Sequence, residues 1–367
     1  MQIERVIISG GGTGGHIFPA LAVANEIRRR YPAAEILFVG ALNRMEMERV
    51  PAAGYKIVGL PVMGFPRKPG IKMLSFVMGL LKSSRLAKRI ILDFKPQIAI
   101  GVGGFASGPL LSTAARYGIP TLIQEQNSYA GITNKLLGRR ARKICVAYDK
   151  MERYFPAEKI VYTGNPVREN LLKQIDNKKE AYDYYQIKKP GKVVLIVGGS
   201  LGARSVNQAV LHNMEAIAGA DIEVIWQTGS IYYNEITEQL KGKIPANVHI
   251  HEFLNRMDLA YAAADVIVSR AGAGTISELC LIAKPVILVP SPNVAEDHQT
   301  KNALSLTEKG AAIMVPDSKI KEQLVEQAVR LINSPAECEK LSENIKQLAK
   351  PGATQQIVDE VEKLIYK

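Results

Sequence analysis

Three glycine-rich turns and two polar clusters are where side-chain types and spacing in this 367-residue chain could do chemistry. Gly10-Gly11-Gly12-Thr13-Gly14-Gly15-His16 satisfies G-x-G-x-x-G at positions 10, 12 and 15. Glycines permit close backbone approach, and free N–H groups at a helix start favour an anion. His16 could be a base, a phosphate ligand, or a helix N-terminal histidine bonded to its own backbone. The strand before the second helix ends Phe38-Val39-Gly40-Ala41, with Glu35 at its wrong end. The ribose-binding acid of a nicotinamide site is therefore missing. No GK[ST] follows the first loop, which excludes a Walker loop.

Similar turns recur at Gly103–Pro109 and at Gly198-Gly199. In the second half, Ser269-Arg270-Ala271-Gly272-Ala273-Gly274-Thr275-Ile276-Ser277-Glu278 pairs small residues with hydroxyls that can bond phosphate. Glu278 falls about one turn into the helix, within reach of a ribose diol, or as a first-turn carboxylate favoured by the helix dipole. Pro290-Ser291-Pro292 and Glu296-Asp297-His298-Gln299 read as a second ligand loop. His249 and His251 share one strand face with no obvious third ligand, so they read as packed histidines rather than a metal site. The chain has no DxD pair. A nucleotide diphosphate would have to be neutralised by N–H groups, helix dipoles and cations.

The elements that must position these groups alternate strand and helix. Glu4–Ser9, Ile36–Val39, Gln97–Val102, Pro120–Ile123, Lys143–Ala147 and Lys159–Thr163 read as strands. Pro19–Arg30 and Leu111–Tyr117 read as helices, with Pro19 in a first turn. A polar stretch, Lys173–Lys192, has little periodicity. The pattern then restarts with strands at Lys192–Val197, Glu223–Trp226, Val248–Ile250, Asp265–Ser269, Pro285–Val289 and Ala311–Val315, and a helix begins near Ser205. Short apolar runs alternating with helices indicate buried parallel strands. The restart reads as a repeat: two doubly wound α/β domains, whose ligands lie at the carboxyl ends of their strands.

Net charge is +12, and residues 1–150 hold 22 Lys/Arg against 8 Asp/Glu, whereas the remainder holds 25 against 27. Within 51–150 the count is 16 against 3. A one-sided field suits an anionic partner: lipid headgroups, nucleic acid or a polyanionic substrate. The basic half lacks interleaved aromatics, which argues against nucleic acid. Cys145, Cys280 and Cys338 are far apart and odd in number, pointing to a reducing cytoplasm. The strand at residues 3–9 leaves no room for a signal peptide. Lys and Arg break every apolar stretch before about 18 residues, too short for a membrane span.

Taken together, Gly11–Ala20, Gly103–Pro109, Gln124-Glu125-Gln126-Asn127, Gly164-Asn165-Pro166-Val167-Arg168, Gly198–Arg204, Ser269–Glu278 and Asp297–Asn302 resemble the MurG family of N-acetylglucosaminyltransferases. The motifs follow the family's order over nearly the whole chain. The resemblance implies a GT-B fold, two Rossmann-like doubly wound parallel-sheet domains facing across a cleft. Residues 1–164 with a returning helix at 350–367 would form one domain, and 165–349 the other. It implies inversion at the anomeric carbon without metal or cofactor, with UDP-N-acetylglucosamine as donor. The acceptor would be the C4 hydroxyl of the N-acetylmuramyl-pentapeptide of undecaprenyl-diphosphate-linked lipid I, giving lipid II. By motif, Thr13, Gly14 and Gly15 would contact the donor, and Asn127 and Arg168 would line the cleft. Ser200 would bond the diphosphate. Ala273, Gly274, Thr275, Ile276, Ser277 and Glu278 would hold the nucleotide, with Glu278 on the ribose and Leu254 near the uracil. Gln299, or its neighbour His298, would contact the sugar. His16 is the first candidate base and Glu125 the second, with Asp297 near the donor loop a third.

Pro61–Pro96 crowds Phe65, Ile71, Met73, Leu74, Phe76, Val77, Met78, Leu80 and Leu81 between lysines and arginines. Such a segment can dip into an anionic leaflet, placing the protein peripherally on the cytoplasmic face of the membrane. The alternative is an amphipathic helix packed on the sheet, which Leu86–Phe94 in part resembles. The rival functions are a diacylglycerol glycosyltransferase, a UDP-GlcNAc 2-epimerase, or a non-catalytic nucleotide-sugar-binding scaffold.

Overall fold

The computed structural model describes residues 2–64, 71–167, 175–188 and 190–366. The chain divides into two compact units, Met1–Val167 with Lys350–Lys367, and Arg168–Ala349.

Unit 1 is built on seven strands: β1 (Arg5–Ser9), β2 (Glu35–Ala41), β3 (Lys56–Leu60), β4 (Ile98–Gly101), β5 (Thr121–Glu125), β6 (Lys143–Val146) and β7 (Ile160–Tyr162). They form one sheet in the order β3-β2-β1-β4-β5-β6-β7, with every pairing parallel. The central register sets Ile8 between Phe38 and Ile100. Both faces are covered, so these strands are continuous apolar runs rather than alternating ones. The helices are α1 (Gly14–Arg30), α2 (Glu46–Ala52), α3 (Ile71–Phe94), α4 (Ser107–Arg116) and α5 (Ile132–Gly138), with a closing helix at Ala353–Ile365. Val23 and Ile27 of α1 and Ile357, Val358 and Val361 of the closing helix join the strand side chains in one core.

Four features depart from the sequence pattern. α1 begins at Gly14, so Pro19 lies inside it rather than in its first turn; the ring removes one ladder bond, to Gly15. β3 is an edge strand interrupted by Gly59, which Leu42 covers, and it lacks the apolar run of a central strand. α2 carries Pro51, which masks it. In unit 2 the polar stretch contains α6 (Lys178–Tyr185), capped by Asn177 accepting from the Glu180 amide. Only Ala181 and Tyr185 of α6 are buried, too few to make a period.

Unit 2 repeats the plan with β8 (Val193–Val197), β9 (Glu223–Gln227), β10 (Val248–His251), β11 (Val266–Ser269), β12 (Val286–Leu288) and β13 (Ile313–Met314). The order β10-β9-β8-β11-β12-β13 is again parallel throughout. In both sheets the order reverses beside the first strand, at β1/β4 and at β8/β11. Trp226 is fully buried, its indole N–H donating to Asn207 at 3.1 Å. His249 pairs with the buried Glu223 at 2.8 Å, and His251 packs edge-on against Tyr185. Burial and the neighbouring His249 lower the His251 pKa. Both histidines are thus packed strand-face residues.

The closing helix is fastened to α1 by Arg30, which donates to Asp359 (2.6 Å), Glu362 (3.0 Å) and the Gln355 carbonyl (3.2 Å) while also bonding Glu26. Tyr31 adds a hydroxyl bond to Glu362 at 3.0 Å. Truncating Arg30 to Ala removes the charge-assisted bonds to Asp359 and Glu362 that join the two helices, and should cost unit 1 about 2 kcal/mol. The chain's one tryptophan, Trp226, lies in unit 2. In urea, R30A should lower the midpoint seen by far-ultraviolet circular dichroism and leave the tryptophan-fluorescence midpoint in place. A fluorescence midpoint that moved equally would contradict a latch confined to unit 1.

Candidate functional site

In unit 1 the two switch-point strands end in glycine turns that touch backbone to backbone. A Cβ on Gly104 (φ +88) would sit 2.5 Å from the Gly11 carbonyl oxygen, and one on Gly11 would sit 2.2 Å from the Glu46 carboxyl. No side chain fits at either place. Glu46 is fully buried, and its carboxylate accepts from the Gly12 amide at 2.8 Å and the Ala41 amide at 2.9 Å. It ties the first glycine loop to the end of β2. Ser107 closes the other side, its hydroxyl donating to the carbonyls of Ser9 (3.0 Å) and Gly103 (2.8 Å).

His16 lies in the first turn of α1. Its Nδ1 is 3.2 Å from the Thr13 hydroxyl, and its Nε2 lies 2.8 Å from where a Gly103 Cβ would stand. One loop thus buttresses the imidazole of the other. Thr13 is the N-cap residue of α1, extended at φ −149, with its hydroxyl on His16 rather than on a first-turn amide. Gly14 and Gly15 open the helix, and no acidic residue stands in its first turn.

Glu125 sits at the end of β5 and is 1% exposed. It accepts from the Asn127 amide (3.0 Å), the Asn127 side chain (3.4 Å), the Gly131 amide (3.1 Å) and Asn134 Nδ2 (2.9 Å). Burial pushes its pKa up, against the pull of these bonds. The carboxylate therefore hangs the 126–131 loop, and with it Asn127, from the sheet. Asn134 Oδ1 is buried with no hydrogen-bond partner among the described residues, and Asn134 Nδ2 is 3.8 Å from the Gly103 Cβ position. Arg168 lies outside the described residues.

In unit 2 the same device appears. A Cβ on Gly202 (φ +88) would meet the Thr228 carbonyl at 2.1 Å, and one on Gly229 (φ +83) would meet the Gly202 amide nitrogen at 2.0 Å. Ser200 is exposed at the tip of this turn, its carbonyl accepting from the Ser230 amide at 3.3 Å. Gln227 is buried; it donates to the Gly199 carbonyl (2.9 Å) and accepts from the Leu254 amide (2.9 Å). Ser200 and Leu254 are therefore set by one side chain. Leu254 is 3% exposed and its amide is committed to Gln227, so only its carbonyl is left to meet a ligand.

The helix Ala273–Ile282 starts after β11 with Gly272 as its cap and no acidic residue in its first turn. Ala273, Gly274 and Thr275 are partly exposed, and nothing lies within 4 Å of a Gly274 Cβ position. That surface admits a close ligand. Ile276 points into the core at 2% exposure, so only its backbone can contribute. Ser277 bonds back to the Ala273 carbonyl at 3.1 Å, and Glu278 is partly exposed one turn in. Beyond β12, Glu296 and Asp297 are both left-handed (φ 57 and 51), a strained step immediately before the helix His298–Thr307. Gln299 accepts from the Ser291 amide at 2.8 Å, which joins the two polar clusters into one loop. Asp297 accepts from Thr300 at 2.7 Å.

Arg270 underlies this whole edge. Its guanidinium donates to Asp317 (2.6 Å), the Ser205 hydroxyl (2.7 Å) and the carbonyls of Val289 (3.1 Å) and Pro290 (3.2 Å). It joins the start of α7 (Arg204–His212) to the ends of β11 and β12. Sequence reasoning quoted Arg270 without a role and missed Glu46, Asn134 and Gln227. Only Arg270 carried a signal, by its place in the Ser269–Glu278 motif.

The four helices that follow the switch-point strands, α1, α4, α7 and Ala273–Ile282, all begin without a side-chain cap bond or a first-turn acid. Each leaves the positive end of its dipole to an anion. Among the described residues no three His, Cys, Asp or Glu side chains converge as a metal site.

Residues 6–146 match the glycosyltransferase family 28 N-terminal domain and residues 193–357 its C-terminal domain. The chain is 54% identical over 367 residues, all of both chains, to a Parabacteroides distasonis protein named UDP-N-acetylglucosamine--N-acetylmuramyl-(pentapeptide) pyrophosphoryl-undecaprenol N-acetylglucosamine transferase. A Phocaeicola vulgatus protein of the same name is 55% identical over 99% of this chain and 97% of its own. The crystal structure of Acinetobacter baumannii MurG superposes with a TM-score of 0.80 at 30% identity, covering 98% of this chain and 99% of that one. The chain belongs to glycosyltransferase family 28 and, within it, to the MurG family.

Proposed function

We propose that this chain is an inverting, metal-independent hexosyltransferase that moves GlcNAc from UDP-GlcNAc to the C4 hydroxyl of MurNAc in lipid I, forming lipid II. The observation that carries this reading is the pair of open switch-point edges, one on each unit, in a chain that matches named transferases along its full length. An epimerase or a binding scaffold of this fold is disfavoured by those relatives.

Unit 2 would take the donor. The first-turn amides of Ala273–Ile282 and the Ser200 turn would hold the diphosphate, with Arg270 adding positive potential from beneath. Glu278 would bond the ribose and the Leu254 backbone would meet the uracil. Gln299 would reach the sugar through its amide, since its carbonyl oxygen is engaged. These donors are fixed before the reaction and would stabilise UDP as it departs. Gly14 and Gly15 of unit 1 would offer a ligand their backbone alone.

His16 is the best of the three candidate bases. When Nδ1 carries the proton and donates to Thr13, Nε2 carries the lone pair that would take the proton of the acceptor hydroxyl. Thr13 then fixes the tautomer. Glu125 is enclosed and committed to four donors, so it would act by placing Asn127 and Asn134. Arg168 would line the acceptor side.

An anionic membrane surface would hold the lipid-linked acceptor, and α3 supports this contact. Leu74, Val77, Met78 and Leu81 are 64, 45, 49 and 53% exposed. Their spacing of three and four residues makes one stripe along the first half of the helix. Ser83, Ala87, Ile90 and Ile91 turn inward over the second half. Lys82, Arg85, Lys88 and Arg89 are exposed beside the stripe. No helix among the described residues is long and apolar enough to cross a membrane, and attachment would be peripheral, on the cytoplasmic face. Phe65, Arg67 and Lys68 lie outside the described residues.

Incubating the chain with labelled UDP-GlcNAc and a short-chain lipid I analogue should yield labelled disaccharide; no product would overturn the reading. H16A should lower kcat by about 10²–10⁴-fold with little change in donor KM, and a near-normal kcat would remove His16 as the base. E278A should do the opposite, raising donor KM about tenfold through the lost ribose bond. The triple change L74S/V77S/L81S should weaken binding to phosphatidylglycerol vesicles by at least about tenfold while turnover of the short-chain acceptor persists. Undiminished vesicle binding would show that α3 is not the contact.

A further inference from the structure

Beside the loop that carries Asn127, unit 1 holds a cationic and aromatic cluster that the transfer mechanism does not use. Lys135 Nζ lies 3.9 Å from the centroid of the Tyr129 ring and 4.6 Å from that of Tyr154. The two rings meet edge to face, with centroids 5.3 Å apart. The Arg153 guanidinium stands 4.9 Å from the Tyr154 centroid, with one nitrogen donating to the Ser128 carbonyl at 3.0 Å. Lys135 is half-buried, and among the described residues its ammonium meets ring faces rather than a carboxylate or carbonyl acceptor. Ring faces stabilise the charge without accepting N–H bonds of ordinary strength. A partly desolvated ammonium with its donors unspent is a site for an oxyanion.

Its place narrows the choice of anion. Tyr129 belongs to the loop that Glu125 suspends, and Asn134, next to Lys135 on α5, comes within 3.8 Å of the Gly103 Cβ position on which His16 packs. The cluster therefore lies two to three strands along the carboxyl edge from β1, the strand that leads to the candidate base, toward β6. In a muramyl sugar the lactyl ether on C3 adjoins the reacting C4 hydroxyl, whereas the diphosphate leaves from C1 across the ring. With C4 at His16, the group that runs along the edge from the reacting centre is the peptide. A peptide of any composition ends in a carboxylate, and tyrosine faces accommodate its amides.

We propose that Lys135, seated on Tyr129 and Tyr154 and assisted by Arg153, is a subsite for a carboxylate of the acceptor's peptide. This rests on the transfer reaction proposed above. It differs from a membrane contact, which the exposed Ile132 and Leu136 on the same helix would otherwise suggest.

The test compares two soluble acceptors with a short prenyl chain, one bearing the pentapeptide and one a lactamide with no carboxylate. In the natural chain the lactamide KM should be about tenfold higher. In K135M, which keeps the aliphatic stem, this KM ratio should collapse toward one, and K135R should restore most of it. The ratio is unaffected by a fraction of unfolded protein, so a folding defect would not mimic the result. A ratio that survives K135M overturns the proposal, as does K135M raising both KM values alike, or weakening only the binding to phosphatidylglycerol vesicles. Failure of the natural chain to glycosylate either acceptor would instead overturn the transferase reading itself.

Discussion

Backbone contact between glycine turns is the constraint on which both candidate edges depend. At Gly11 and Gly104 the chain leaves two neighbouring parallel strands in the same direction, and the turns must cross within van der Waals distance. Any Cβ there would push α1 and α4 apart and carry His16 away from Gly103. The crossing of Gly202 with Gly229 does the same service between β8 and β9, and it sets the height of Ser200. The cost is backbone entropy, which glycine loses most heavily on ordering. Each unit offsets that cost with a buried polar side chain bonded to the turn, Glu46 in one and Gln227 in the other.

The two units secure their edges with opposite charges, and the difference has a chemical sense. In unit 1 the loops present amide N–H groups inward, so buried carboxylates satisfy them: Glu46 under the first glycine loop, Glu125 under the 126–131 loop. In unit 2 the strand ends present carbonyl oxygens and Asp317, so a guanidinium satisfies them. In unit 1 the carboxylates hold the loops that would present His16 and Asn127. A cation beneath the proposed diphosphate site would reinforce the helix dipoles there. The polarity of the scaffold thus matches the role proposed for each unit.

Much of the fold was legible because its strands are buried on both faces. Runs such as Val193–Val197 and Val266–Ser269 announce themselves by unbroken β-branched and aliphatic residues. Edge elements do not: β3 carries a lysine and a glycine, and α6 buries only two of its eight residues. The glycine loops were legible as strand-to-helix turns, but their exchange of contacts was not. Nor were Glu46, Gln227 and Asn134, because a buried polar residue is defined by partners 34, 28 and 9 positions away. Such pairings leave no local pattern. Arg270 was visible within a motif, yet its four acceptors come from three separate loops.

The helix α3 would join membrane and chemistry through the layer it belongs to. α3 packs on α4 and α4 packs on α5, so the three lie side by side on one face of the unit 1 sheet. α4 grows out of the Gly103–Pro109 turn that buttresses His16, and α5 carries Asn134 and Lys135. An isolated soluble domain gains nothing by turning Leu74, Val77, Met78 and Leu81 to water while burying Ser83; such a stripe calls for an apolar partner. A prenyl chain must remain in the leaflet while its diphosphate and sugar rise to the enzyme. Seating α3 in that leaflet would bring the α4 and α5 loops to the height at which the sugar emerges. The acceptor would then be positioned by its anchor before any residue touched its hydroxyl, and the loops would need only to orient it.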